Sequence, residues 1–464
     1  MNKFTGNIAD ALTQNGASSY SKTGSPLLDF FYNGPTCRKN VQKAVNLFEK
    51  AFKEDKILAL KALFYIRNPR HGSGEKAVFL ACLDRLKSLD IESFYKAVYL
   101  IPEHGYWKDV FKIANNDSNI FDLVCLNFLN DTTPSLFWKF VPSINAGKES
   151  KKFAQRICKE LEITEKDYRL KCSEMRKLMP IVEREMSKGS WSEIDYTSVP
   201  SVANKQYNAA FLKHDEERRR EFLGKVKSGE KKMNTGVLAP HQCWALNDEA
   251  FWASRILTFP SLENALPIID FSGSMSTKVD KDISARDIAS AMGVMMSQKM
   301  KGDFKGLVIP FSNRARFVNV GDTLSSAKEA LRKFSEVANT NLQAVFELIL
   351  GHAEYHNVPD EDMPKTIVIF SDTEFDGIVD NANATNINSI KKKYQSAGYE
   401  MPLIVFWNLV GSDQSPAKKD TINTVLLSGF GPNALSILKG ELPETPYEAM
   451  MKILSADWLS NVSL

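Results

Sequence analysis

Apolar residues recur at intervals of three and four from Cys37 onward: Val41, Ala44, Val45, Phe48, Phe52, then Ile57, Leu58, Leu60, Leu63, Tyr65 and Ile66. That period belongs to amphipathic helices. Breaks fall at NPRHGSG (68–74), IPEHGY (101–106) and NDTTPS (130–135), where Gly, Pro and Asn interrupt the pattern. The segments between and around them, 75–88, 91–100, 107–115, 119–128 and 135–143, have helical length. Helices of this size joined by short polar turns predict an α-solenoid of paired helices, although no strict sequence repeat is visible. Residues 149–188 form one densely charged helical region, with a kink or break expected near Met179 because Pro180 follows. Residues 191–208 are rich in turn formers, 214–232 predict a charged helix, and 234–262 is expected to be a linker.

Past residue 262 the pattern changes. Short β-branched runs at 266–270, 306–311, 315–320, 366–371, 402–409 and 422–427 alternate with helical segments near 283–300, 324–334, 341–354, 388–396 and 445–456. Strands separated by helix-length segments predict a doubly wound α/β sheet. The fold class is therefore α + α/β. Three regions are expected: a polar, irregular N-terminal arm (1–25), a helical-repeat domain (26–255) and an α/β domain (256–464).

The first α/β strand runs into LPIIDFSGS (266–274). Asp270, Ser272 and Ser274 place one carboxylate and two hydroxyls on the turn that leaves the strand. Such hard oxygen donors suit Mg²⁺, or Mn²⁺ or Ca²⁺, with waters retained. A second strand, KTIVIFSD, delivers Asp372 to its own C-terminal end, where open α/β sheets place their ligand sites. Glu374 and Asp376 follow closely and add carboxylates that could strengthen cation binding or form an acidic loop.

Taken together, Asp270, Ser272, Ser274, Thr340 and Asp372 resemble the metal-ion-dependent adhesion site (MIDAS) of von Willebrand factor A (vWA) domains. The resemblance implies that the serines and Thr340 contact the metal and that Asp372 acts through water. It departs from the family at Asn339, where Gly is commoner, and at Thr373 to Asp376, where the chain does not turn at once on Gly. In the helical half, Phe31-Tyr32, ALFYIRNPRHGSGEK (62–76) and IPEHGYWKDVF (101–111) resemble the TROVE module of the Ro autoantigen and of telomerase- and vault-associated proteins. There, HEAT-like helical repeats form a ring closed by a vWA domain. Residues 150–240 resemble more closely a group of vWA-carrying proteins related to Ro. The resemblance implies a ribonucleoprotein component that binds small structured RNA or single-stranded RNA ends.

Charge gives this reading modest support. The net charge of +3 divides unevenly, with 40 Lys+Arg against 31 Asp+Glu in residues 1–260 and 19 against 25 thereafter. A basic front half suits an anionic partner. The RNA-contact candidates are Arg67, Arg70, His71 and Lys76 in the first loop, Lys108 beside Tyr106 and Trp107, then Lys151, Lys152, Arg156, Arg169, Lys171, Arg176 and Lys177. Against each stands the alternative of a solvated helix face, and Tyr106-Trp107 more often marks helix packing than base stacking.

Other chemistry is thin. Gly72-Ser73-Gly74-Glu75-Lys76 lacks the spacing and preceding strand of a phosphate loop. His352 and His356 share a helical face without further zinc ligands. A phosphatase built on Asp270 would want an Asp where Ser272 stands. A non-enzymatic protein is expected. Six scattered cysteines without C-x-x-C pairs fit a reducing compartment, and with no apolar h-region or membrane-length run a cytoplasmic, membrane-free location is expected. Two rivals to RNA binding remain open: a scaffold that docks an acidic residue of a protein partner on the metal site, and an accessory vWA subunit of an ATPase machine.

Overall fold

The computed structural model describes residues 9–280, 282–311, 315–334, 341–375 and 386–463. Compactness divides the chain into two units. The first takes in the described residues up to Cys82, Tyr196–Asn208 and Glu217–Ser463, and the second takes in Leu83–Asp195 and Ala209–Glu216.

The described part of the arm, residues 9–25, contains a short hairpin. β1 (Ala11–Leu12) and β2 (Ser18–Ser19) pair antiparallel, and Tyr20 bridges to Ser415. Helices α1 (Pro26–Asn33), α2 (Val41–Glu54) and α3 (Lys56–Arg67) follow, belonging to the same unit as the sheet. Each starts where a side chain satisfies an orphan amide: Ser25 accepts from Leu28 N, Asn40 from Lys43 N, and Asp55 from Leu58 N. Such caps stabilise by about 1 kcal/mol each. After α3 the chain turns back on itself, with Ser73 N donating to Tyr65 O and Glu75 N to Ile66 O. Gly72 is required in this turn because a Cβ there would collide with the Tyr65 carbonyl oxygen.

Helices α4 (Lys76–Leu89), α5 (Ile91–His104), α6 (Trp107–Ala114), α7 (Ser118–Asn130), α8 (Leu136–Phe140), α9 (Lys148–Glu160), α10 (Glu165–Lys177) and α11 (Val182–Lys188) follow. Within the second unit an aromatic seam binds neighbouring helices. Trp107 meets Phe137 edge-on at 4.9 Å, Phe121 meets Phe153 at 5.5 Å, and Phe128 stacks on Tyr168 at 4.8 Å. The region 149–188 breaks near Met179 as expected, between α10 and α11, and breaks once more, unexpectedly, between α9 and α10. Glu162 adopts a left-handed backbone (φ 52), and Ile163 N and Glu162 N donate back to Cys158 O and Lys159 O, closing α9 as a Schellman cap. Thr164 and Asp167 then form a capping box that starts α10. Nor does Pro102 end its helix, since α5 runs on to His104.

The turn-rich stretch 191–208 contains the start of α12 (Ser201–His214), followed by α13 (Glu216–Lys227). The expected linker 234–262 holds α14 (Pro240–Leu246) and α15 (Glu249–Thr258). Pro240 begins the first, Asp248 caps the second through Ala250 N and Phe251 N, and Phe251 and Trp252 are buried.

Strand β3 (Ala265–Asp270) opens the sheet. It is followed by a small ribbon, β4 (Lys278–Asp280) with β5 (Ile283–Ser284), then α16 (Ala285–Lys299), β6 (Leu307–Phe311), β7 (Val318–Asn319), α17 (Leu324–Arg332), α18 (Leu342–His356), β8 (Thr366–Ser371), α19 (Asn386–Ala397), β9 (Leu403–Asn408), β10 (Thr424–Ser428) and α20 (Pro446–Leu454). The six-stranded order is β10-β9-β8-β3-β6-β7, parallel except for β7 at the edge. The chain leaves β3 toward β6 on one side and later returns on the other through β8, so the strand order reverses between β3 and β8. Strands β3, β8, β9 and β10 are buried throughout, as a sheet covered on both faces requires. On one face Ile268, Ile369 and Phe406 pack with Phe346 and Ile349 of α18 and Tyr394 of α19. On the other, α16 approaches so closely that a Cβ on Gly293 would meet Ile269 Cγ1 at 2.7 Å. The fold is thus α + α/β.

Candidate functional site

The reversal between β3 and β8 brings Asp270 and Asp372 to one end of the sheet, as strand-end carboxylates of an open α/β fold should be. Asp270 is fully buried. Its Oδ1 accepts from Ser272 N at 2.8 Å and its Oδ2 from Ser371 Oγ at 2.6 Å. Ser272 Oγ and Ser274 Oγ lie 3.1 Å apart, and Asp372 Oδ1 accepts from Glu374 N at 3.2 Å. Burial foremost, and then the neighbouring Asp372 carboxylate, push the Asp270 carboxyl far above the usual carboxylate range. Among the described residues no side-chain cation pairs with either carboxylate. Arg286 comes near, but its Nη2 donates to Ser272 O (3.3 Å) and Ser276 Oγ (3.0 Å), not to a carboxylate.

Among the described residues no three His, Cys, Asp or Glu side chains gather as metal ligands. The strand-end cluster of Asp270, Ser272, Ser274 and Asp372 is of a different kind, with two carboxylates and the remaining donors hydroxyls, the composition a hard cation accepts. Thr340 and Asp376 lie outside the described residues. Glu374 is committed elsewhere: Gln14 N donates to one carboxylate oxygen at 2.8 Å and Ser412 Oγ to the other at 2.9 Å. Thr13 Oγ1 and Asn15 Nδ2 add bonds to the carbonyls of Phe375 and Glu374. The N-terminal hairpin therefore clips the loop that follows Asp372. Ser371, which ties Asp270 to β8, was not anticipated; its signal was only its place beside Asp372 in FSD. Tyr32, one of the motif residues, is fully buried in the sheet core beside Thr373 and Asn408.

The basic candidates scatter. Arg67 is a correction: at 3% exposure it cannot meet a surface ligand, because the last turn of α3 faces inward. Arg70, His71 and Lys76 are exposed, with His71 stacked on Trp458 at 5.4 Å. Lys108 lies over the Phe140 ring and Arg156 over Phe121, while Lys152 pairs with Glu149 and Lys151 is exposed. Lys171 donates to Leu129 O. Tyr106 and Trp107 pack against Phe140 and Phe137, which is helix packing.

Three candidates do come together. Arg169, Arg176 and Lys177, joined by Arg184 and Lys188, line a groove of about 650 Å³ in the second unit, and Glu183 is its sole acidic lining residue. Among the described residues, Lys188 alone of the five cations has a carboxylate partner, Glu185. Arg176 donates to Trp138 O, Val141 O and Ser143 Oγ, which fixes its guanidinium in the wall. No helix among the described residues is long and apolar enough to cross a membrane. All six cysteines are buried free thiols.

Fold and site together define a helical protein with an α/β sheet that carries an acidic, hydroxyl-rich strand end. The chain belongs to the family described as domain of unknown function DUF2828, which matches residues 13–119 and 139–264 and so half of its length. The adjoining domain of unknown function DUF7788 matches residues 264–453. A relative, Uncharacterized protein L728 of Acanthamoeba polyphaga mimivirus, is 25% identical over 504 aligned positions, covering 96% of this chain and 87% of the relative. The crystal structure of the Deinococcus radiodurans Ro (RSR) protein aligns over 95% of this chain and 96% of its own at 14% identity, with a TM-score of 0.34, too low to carry an argument.

Proposed function

We propose that this chain is a non-enzymatic RNA-binding protein of Ro-like character that also holds a divalent cation at Asp270, Ser272, Ser274, Thr340 and Asp372. The observation that carries the RNA reading is the groove at 143–188, four of whose five cations have no carboxylate partner among the described residues. Unpaired Arg and Lys around an open trough are what phosphate contacts require. Its aromatic residue, Tyr168, is buried with its hydroxyl on Pro142 O, so bases have no ring to stack on there. Recognition would then run through the RNA backbone and depend steeply on salt. The test is anisotropy of a labelled small structured RNA and of a single strand as KCl rises. Reversing Arg169, Lys177 and Arg184 to Glu should lower the salt slope by about 2, at ~0.7 per single-strand phosphate contact. No binding even at low salt would sink the reading.

A second reading, a scaffold docking an acidic partner residue through the cation without RNA, is favoured by the uncompensated Asp270–Asp372 pair. An open metal position bridges two oxygen-rich surfaces without breaking a bond. Its mark would be a partner bound to the purified chain in a way that both chelator and Asp270→Ala abolish. Co-purifying nucleic acid, seen in a raised 260 to 280 nm absorbance ratio, separates the two readings.

A further inference from the structure

A second polar cavity lies within the first unit, and none of Asp270, Ser272, Ser274 and Asp372 lines it. It measures about 170 Å³, and its walls include Arg38, Ser73, Gly236, His241, Arg255 and Gly431. Arg255 is 2% exposed. Its Nε donates to Leu238 O at 2.7 Å and its Nη1 to Thr258 Oγ1 at 2.8 Å, and among the described residues no carboxylate pairs with it. His241 is 4% exposed and its Nδ1 is buried without a hydrogen-bond partner. The acidic groups at this cavity are already consumed: Arg38 holds both Glu75 and Asp280.

A buried guanidinium without a counter-charge and a buried imidazole nitrogen without a partner are both costly. One occupant relieves both, a small anion that accepts from each. The volume excludes larger ligands, being below the range of pockets that enclose drug-sized molecules, while leaving room for a tetrahedral oxyanion with a water or two. The wall at Gly236 is open, since a Cβ built there meets nothing within 4 Å. We propose that this cavity is a phosphate-binding pocket, with Arg255 and His241 as its ligands, taking inorganic phosphate or the phosphate end of a small phosphomonoester. This assignment does not depend on the RNA or cation readings, because neither the groove residues nor Asp270 contribute to it.

The experiment is calorimetric titration of the full-length chain with inorganic phosphate and with adenosine 5′-monophosphate, at ionic strength held constant with chloride. Saturable binding is expected. Phosphate binding at least as tightly as the nucleotide identifies the free anion, and tighter binding of the nucleotide identifies the ester. His241→Phe should weaken binding by about tenfold or more, equivalent to ~1.4 kcal/mol. Gly236→Asp, whose side chain enters open space, should abolish it by charge, which keeps the test valid should His241→Phe fold poorly. Wild-type protein that binds neither probe, or a folded Gly236→Asp variant that binds as wild type does, would overturn the assignment.

Discussion

Replacing His241 with Phe should remove an acid sensitivity that can be sized from its surroundings. Burial foremost, then the nearby Arg38 charge, lowers the imidazole pKa from 6.5 to about 4, with Lys205 acting in the same direction and Asp280 and Asp287 opposing. The folded state therefore resists a proton that the unfolded chain accepts. A depressed folded pKa means that the stabilising difference is fully present above about 6.5 and is lost as pH falls toward 4. At pH 5 the unfolded imidazole is almost wholly protonated and the folded one scarcely at all, which amounts to about 2 kcal/mol relative to pH 7.5, at ~1.4 kcal/mol per pKa unit. The assay is urea unfolding followed by tryptophan fluorescence, for wild type and variant, at both pH values in phosphate-free buffer. Carboxylates that also titrate act in both proteins and cancel in the difference. Wild type should lose about 2 kcal/mol more than the variant between pH 7.5 and 5. Equal losses would refute the claim that His241 is held neutral in the fold.

Three further outcomes bear on the site and on the turn beside the cavity. Ser371→Ala should cost about 1.5–3 kcal/mol in the same unfolding assay, because it removes the hydroxyl that donates to the buried Asp270 carboxylate. Mg²⁺ should raise the melting temperature of wild type and not of Asp270→Asn, with chelator reversing the rise; an equal rise in both proteins would place the cation elsewhere. Gly72→Ala should destabilise by about 1–3 kcal/mol or more, since the added methyl meets the Tyr65 carbonyl in a closed turn, while Gly147→Ala, whose Cβ has free space, should be near neutral.

The sheet was readable because its residues carry a local signal. The β-branched runs that became β3, β8 and β9 lie within a residue or two of their expected ends, and Asp270 and Asp372 fall at strand termini as their motifs implied. Helix existence was equally legible in the front half, where caps such as Asp55 and Asp117 stand directly before apolar periodicity. The breaks at 68–74, at 130–135 and near Met179 fall between helices as expected, and what failed were other interruptions. Glu162 closes α9 in a left-handed conformation, a role more usual for Gly or Asn, so nothing in its identity announced a stop. The 234–262 stretch looked like a linker because Gly236, Pro240 and Asn247 read as breakers, whereas Pro240 starts a helix and Asn247 ends one with φ 53.

The polar groups that matter most were the least legible, and for one physical reason. A hydrogen bond or an unpaired charge is a property of two positions and of the burial between them, and neither is written locally. Ser371 meets Asp270 across 101 residues of chain, and Glu374 is held by Gln14 across 360. Arg255 sits in an ordinary helical context and becomes unusual only because the fold buries it where, among the described residues, no carboxylate follows. Charge counting over residues 1–260 averages such positions with paired ones. It gave the right sign for the groove at 143–188, yet it ranked the buried Arg67 equal to the exposed Lys177. The residues most worth mutating are therefore those whose charge the fold leaves unpaired: Arg169, Lys177 and Arg184 in the groove, and Arg255 in the cavity.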